Sequence, residues 1–162
     1  MKKIAIVGPE SSGKSTLAQE LMLRARAWYV SEVAREYIDN LERPYGEADL
    51  LEIAHAQARN EEMVSSEFKG LMVCDTDLIT IRIWSEEKFG RCHPWILEQS
   101  EKRHYDHWLL CMPDIPWEPD PQRAIAKPMR PRCGRRTLAW CGYFLRDFMS
   151  DLNLGLSRTV VK

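Results

Sequence analysis

The chain has 162 residues, 44% of them hydrophobic, which supports one domain with a sizeable core. Its 23 basic and 24 acidic side chains nearly cancel, which argues against broad attraction to nucleic acid or a membrane surface. The five cysteines (Cys74, Cys92, Cys111, Cys133 and Cys141) include no Cys-x-x-Cys pair, so neither a disulfide framework nor a zinc knuckle is indicated, and a reduced cytosol fits.

Met1-Lys2-Lys3 and five apolar residues open the chain, too short a stretch for a signal peptide or a membrane span. Ile4 to Val7 is a β-branched, apolar run that predicts a strand buried on both faces. Gly8-Pro9-Glu10-Ser11-Ser12-Gly13-Lys14-Ser15 follows it and matches G-x-x-x-x-G-K-[ST]. The run from Ser15 through Leu21 has helical spacing, so the motif lies between a strand and a helix, where a phosphate-binding loop works. Gly8 and Gly13 let successive N–H groups turn inward around a polyphosphate, with the helix N-terminus behind them. Lys14 is expected to reach the outer phosphates and the Ser15 hydroxyl to meet Mg²⁺, while Glu10, Ser11, Ser12 and Thr16 complete the nucleotide-binding loop.

The helix is predicted to run to about Arg26, followed by a strand over Trp28–Ser31 and a brief helix or turn over Val33–Ile38. Ligands bind beyond the carboxyl ends of strands in doubly wound sheets, so Glu32, Arg35 and Glu36 fall where an acceptor substrate could be held. A carboxylate there could accept a hydroxyl proton, and Arg35 could hold a phosphate or orient Glu32; an ordinary charged turn is the plain alternative. Residues 47–68 read as a long amphipathic helix with Leu50, Ile53, Ala54 and Gln57 on related faces and its charges on a solvated one.

Leu71-Met72-Val73-Cys74-Asp75 is the next buried strand, and Cys74, like Cys111, reads as a small buried hydrophobe. A carboxylate ending such a strand is the second half of a phosphate-loop site, so Asp75 is assigned to the Mg²⁺ shell opposite Ser15. Asp77 suits a helix N-cap or a substrate contact, ahead of a helix over 78–89 that Gly90 ends. Residues 91–105 are polar; Cys92-His93 and His104-x-x-His107 lack a complete ligand set with zinc spacing. Trp108–Met112 is predicted as the fourth strand. Four prolines between 113 and 121 then stiffen a loop that carries Trp117 and Arg123. Trp117 could stack on a heteroaromatic, cationic ring, and Arg123 could neutralise charge on a transferring phosphoryl group.

Taken together, the phosphate loop, Glu32-Val33-Ala34-Arg35-Glu36-Tyr37, Asp75-Thr76-Asp77 and Asp114-Ile115-Pro116-Trp117 with Asp120 and Arg123 resemble the ribosylnicotinamide kinase domain of NadR-type NAD-salvage proteins, in its stand-alone form. The likeness covers roughly residues 1–123. It implies ATP- and Mg²⁺-dependent phosphorylation of the 5′-hydroxyl of nicotinamide riboside. By that resemblance Lys14 and Ser15 hold the phosphates and Mg²⁺, while Glu32, Arg35 and Asp75 face the acceptor ribose. Trp117 would stack on the nicotinamide ring and Arg123 would act from a lid at about 113–136. The general base stays open between Glu32 and Asp75, and Asp77 stays a candidate substrate contact. No adenylyltransferase domain or helix-turn-helix precedes the loop, so those NadR activities are not expected.

Residues 124–162 depart from the family pattern: a basic, proline- and glycine-broken stretch leads to a possible helix over 137–149 and a short strand over 158–162. Divergence, a remodelled lid or a shifted reading frame would each produce this. The expected architecture is a single three-layer α/β P-loop domain over 1–162, with a mainly parallel five-stranded sheet. The expected function is small-molecule phosphoryl transfer to a nucleoside. The alternatives are a regulatory ATPase acting through a partner, a nucleotide-binding module without turnover, and a kinase for another nucleoside. The absence of an Asn-Lys-x-Asp segment argues against an ordinary GTPase.

Overall fold

A computed structural model of the chain describes residues 1–8 and 11–112 and the backbone of 159–161. Strand and helix alternate as β1 (Lys2–Val7), α1 (Lys14–Ala25), β2 (Trp28–Val30), α2 (Val33–Asp39), α3 (Glu47–Glu67), β3 (Leu71–Asp75), α4 (Leu78–Phe89), α5 (Pro94–Lys102), β4 (His107–Cys111) and β5 (Thr159–Val161). The strands form one sheet in the order β2-β3-β1-β4-β5, with every neighbouring pair parallel. This is the five-stranded sheet expected from the sequence, and β5 lies within the short strand predicted at 158–162. The predicted helix at 137–149 and the lid at about 113–136 lie outside the described residues.

Strand alternation explains the layers, because successive side chains point to opposite faces. On one face Ile6, Val73 and Cys111 pack against Ala18, with Leu17 and Leu21 of α1 beside them. On the other, Ala5, Val7, Met72 and Cys74 meet Val64 of α3 and Ile79 and Ile83 of α4. A further cluster joins α2, α3, α4 and α5 through Ala34, Leu50, Ile53, Leu78, Ile81 and Ile96. Among the described residues no helix is long and apolar enough to cross a membrane.

Several elements depart from the sequence expectation. β1 begins at Lys2 rather than Ile4, because Lys2 N–H donates to Gly70 O (2.8 Å) and the ladder with β3 starts there. β4 is shifted one residue earlier, to His107, which pairs with Ile4. Residues 91–105, read as polar and without an element, contain α5. Pro94 occupies its first turn, where a missing N–H costs nothing, and His93 Nδ1 accepts from Trp95 N–H (3.2 Å) as the cap. His93 therefore has a capping role, and His107 opens β4.

The charges of α3 were expected to be solvated, yet Asp49 and Glu61 are buried. Asp49 accepts from both guanidinium nitrogens of Arg43 (2.7 and 2.8 Å) and from Gly46 N–H (2.7 Å), which caps α3. Those bonds hold its carboxyl well below the usual carboxylate range. Glu61 accepts from the Tyr105 hydroxyl with both oxygens (3.0 and 2.9 Å) and pairs with Arg103 (3.1 Å).

Candidate functional site

The connection after β1 leads through α1 to β2, and the one after β3 leads through α4 and α5 to β4 on the far side of β1. The carboxyl ends of β1 and β3 therefore flank the topological switch point, where open α/β sheets bind ligands.

At the end of β1 the backbone takes unusual turns. Gly8 has φ 153°, Ser11 57° and Gly13 79°, all positive. At Gly8 the requirement is also spatial: a Cβ there would lie 2.5 Å from Cys111 O and 3.0 Å from Ser12 Oγ. Only glycine lets the loop pass this close to β4. Gly13 sits at the N-cap of α1 with no side chain to cap the first turn, and no acidic residue stands in that turn. Lys14, Ser15 and Thr16 begin the helix, and Ser12 is buried against the loop. A loop with positive φ at Gly8, Ser11 and Gly13, a helix N-terminus without a side-chain cap and an adjacent lysine are features that suit a polyphosphate. Glu10 lies outside the described residues, as does the intervening Pro9.

Asp75 closes β3 directly beside this loop, since it pairs with Ile6 of β1. The residue after it is strained: Thr76 has φ 82°, a left-handed conformation that a β-branched residue rarely adopts. Thr76 N–H donates to Ile6 O (3.1 Å), which ties the strained turn to β1. Asp75 is 1% exposed, and its Oδ2 accepts from the Tyr29 hydroxyl of β2 at 3.1 Å. Its Oδ1 is buried with no hydrogen-bond partner among the described residues. A buried carboxylate oxygen without a partner is costly unless a ligand completes it. That oxygen, at the strand end beside β1, is of a type that fits a cation shell.

Asp77 is the N-cap of α4, as one of its two expected roles required. Its Oδ1 accepts from Thr80 N–H (3.0 Å) and Thr80 Oγ1 (2.9 Å). Burial nevertheless pushes its carboxyl up to about 6. It is 0% exposed, so a substrate contact would have to come through its buried Oδ2, which has no hydrogen-bond partner among the described residues.

Glu32 precedes α2 as its N-cap residue and is 8% exposed, so it is no ordinary surface turn residue. Arg35, one turn on, lies 3.6 Å from its Oε2. Glu36 points to solvent. Gln57 of α3 accepts from Val33 N–H with its Oε1 (3.1 Å), which satisfies the start of α2 and steadies Glu32 beside it. The structure thus brings Lys14, Ser15, Glu32, Arg35, Asp75 and Asp77 to the carboxyl side of the sheet. Trp117 and Arg123 lie outside the described residues.

Sequence reasoning missed Tyr29 and Gln57. Tyr29 sits in a three-residue edge strand, where its side chain joins the face packed on α1. Burial, with the Asp75 carboxylate next, holds its phenol well above its ordinary value, so it stays protonated and donates. Arg35 and Glu32 also act on that phenol, which places the hydroxyl in the field of three of the charged site residues.

The parallel sheet, the phosphate loop and the acidic end of β3 define a P-loop nucleotide-binding domain with a kinase-type fold. The chain belongs to the AAA domain family, whose sequence model matches residues 3–148. It is similar to the trifunctional NAD biosynthesis/regulator protein NadR of Salmonella typhimurium strain LT2. The two are 27% identical over 131 residues, which cover 77% of this chain and 32% of that protein. The chain therefore spans about a third of the length of that curated relative. Among solved structures, NadR in complex with NAD and AMP-PNP superposes with a TM-score of 0.55 at 25% identity, covering 67% of this chain and 34% of the other. A NadR complex with NR shares the fold over 99% of this chain and 45% of the other, with a TM-score of 0.68 at 23% identity.

Proposed function

We propose that the chain transfers the terminal phosphoryl group of ATP to the 5′-hydroxyl of nicotinamide riboside, giving the mononucleotide. The observation that carries this reading is the orphaned, buried Oδ1 of Asp75 at the strand end beside the phosphate loop. A Mg²⁺–ATP complex held by the loop would complete that oxygen, and the assay below separates transfer from binding alone. The similarity to NadR supports the choice of acceptor.

Lys14 binds the outer phosphates through its ammonium, and the N–H groups of residues 11–15 neutralise their charge. Ser15 and Asp75 would hold Mg²⁺, which when bound supplies further neutralisation of the polyphosphate. Glu32, oriented by Arg35, and Asp75 both stand on the acceptor side, and one of them takes the hydroxyl proton. Arg35 and Asp77 hold the ribose end, Trp117 stacks on the pyridinium ring, and Arg123 counters charge on the transferring group. Catalysis of this type is mainly positioning and electrostatics, which suits a site made of rigid strand ends.

The test is an ATP/Mg²⁺ assay across a nucleoside panel, with product mass read directly. The expected product is nicotinamide riboside heavier by one phosphoryl group, with little reaction of ordinary nucleosides. Preferred phosphorylation of another nucleoside would reassign the acceptor, and ATP binding with no phosphorylated product would overturn the kinase reading. Trp117→Ala should raise the acceptor KM by about tenfold and leave that for ATP almost unchanged. Equal changes in both would remove Trp117 from the acceptor site.

A further inference from the structure

Asp75 and Tyr29 are 46 residues apart in sequence and meet only because β2 lies next to β3. In register, Tyr29 pairs with Val73, so its ring lies on the same sheet face as Asp75, two residues further along β3. The ring packs in the cluster formed by Ile6, Ala18, Val73 and Cys111. A phenylalanine would fill that space equally well, so packing accounts for the ring and leaves the hydroxyl unexplained. That hydroxyl donates to Asp75 Oδ2, and the carboxylate's other oxygen has no partner among the described residues.

An aspartate side chain has two torsions, and its terminal one is broad and soft. With neither oxygen held, the carboxylate could rotate and present either oxygen, or both, to a ligand. The Tyr29 hydroxyl removes that freedom by engaging one oxygen, while the strained Thr76 turn fixes the backbone on the C-terminal side.

We infer that Tyr29 is a positioning residue: its hydroxyl locks the Asp75 carboxylate so that a single oxygen, Oδ1, is committed to the cation-and-phosphate ligand of the loop. This inference rests on the reading of Asp75 as part of the Mg²⁺–nucleotide site. It predicts monodentate participation of Asp75, with the second oxygen spent inside the protein.

The experiment is Mn²⁺ binding to the full chain in the presence of AMP-PNP, followed by electron paramagnetic resonance, with thermal melts as the check on folding. Tyr29→Phe, Asp75→Asn and the double variant are compared with the parent chain. Tyr29→Phe should keep a cooperative melt and weaken Mn²⁺ affinity about tenfold, the scale of one hydrogen bond to a charged group. In the Asp75→Asn background the same change should cost almost nothing, since the group it positions is already gone. A Tyr29→Phe chain with parental Mn²⁺ affinity, while Asp75→Asn loses it, would overturn the positioning role and leave the Asp75 assignment standing. Parental affinity in both single variants, or no nucleotide-dependent Mn²⁺ binding by the parent, would overturn the Asp75 assignment and the inference with it. Full, independent losses from both changes in the double variant would also overturn it.

Discussion

The two ends of the sheet treat buried acidic side chains in opposite ways. At the amino-terminal end, Glu61 is 1% exposed, yet both its oxygens accept from Tyr105 and one also pairs with Arg103. Lys3 N–H donates to Asp106 Oδ2 (2.7 Å), and Asp106 N–H returns a bond to Lys3 O (2.8 Å). At the carboxyl end, Asp75 Oδ1, Thr76 Oγ1 and Asp77 Oδ2 are buried without hydrogen-bond partners among the described residues, and Thr76 is strained. Arg103 Nε and Trp108 Nε1 also lack partners among the described residues, so the contrast is one of acids: the buried carboxyl of the amino end has both oxygens bonded, whereas Asp75 and Asp77 at the carboxyl end each keep one oxygen free for a ligand.

The largest expected effect comes from emptying the carboxyl-end site. Lys14→Ala should lower phosphoryl transfer by more than about a thousandfold while the melt stays close to parental, because Lys14 is a partly exposed first-turn residue. Near-normal turnover would mean that the loop does not hold the reacting phosphates. Gly8→Ala is expected to act on both stability and binding. The new Cβ would meet the Cys111 carbonyl of β4, so a destabilisation on the order of 3 kcal/mol should accompany loss of nucleotide affinity. A folded, ATP-binding Gly8→Ala chain would show that the loop can retreat from β4.

The contrast between the two ends was only partly legible in the sequence, for a physical reason. The Gly8–Ser15 loop is a local device: its glycines, lysine and serine work within a few residues of one another, so spacing alone reveals it. Asp75 was legible as well, because an apolar strand ending in a carboxylate is a contiguous signal. Tyr29 and Glu61 were not. Their partners lie 46 and 44 residues away, and nothing local in Trp28-Tyr29-Val30 or in the charge-rich α3 distinguishes a buried bonded group from a solvated one. Helix α5 escaped for another reason. It is only nine residues long, with Ile96 and Ser100 buried, and its stability comes from packing on α3 and α4 and from the His93 cap rather than from its own length.

The amino-terminal cluster can be probed through pH. Burial outweighs Arg103 and Tyr105 and pushes the Glu61 carboxyl up from 4.5 to about 7, with Asp77 adding to the rise and Lys3 opposing it. The folded chain thus holds this proton more tightly than the unfolded one. Its contribution is complete below about pH 4.5 and is lost as pH rises through about 7. At most about 3 kcal/mol of stability should disappear over that window. Melts from pH 5 to 8.5 should show Tm falling across the neutral range, and Glu61→Gln should flatten the decline. A parental Tm that rises over the same range would mean that the Arg103 ion pair dominates and Glu61 is buried as a carboxylate.

The smallest effect is the sharpest test of the carboxyl end, because it depends on a sign. At an ordinary position alanine is more stable than glycine by roughly 0.5–1 kcal/mol, since glycine loses more backbone freedom on folding. At Thr76, with φ 82°, alanine keeps a Cβ in a region that disfavours it, whereas glycine does not. Both replacements remove the same unpartnered hydroxyl and the same methyl group; glycine also gives up the buried Cβ, worth about 0.8 kcal/mol, which the relief of strain has to offset. Thr76→Gly should therefore melt level with or above Thr76→Ala, cancelling the advantage alanine has at an ordinary buried position. If strain at Thr76 holds Asp75 and Asp77 in place, the glycine variant should also be the slower enzyme, because the freed turn lets both carboxylates wander. The usual order, alanine above glycine, would show that the turn after β3 stores no strain, and the carboxyl end would then differ from the amino end in its unpartnered atoms alone.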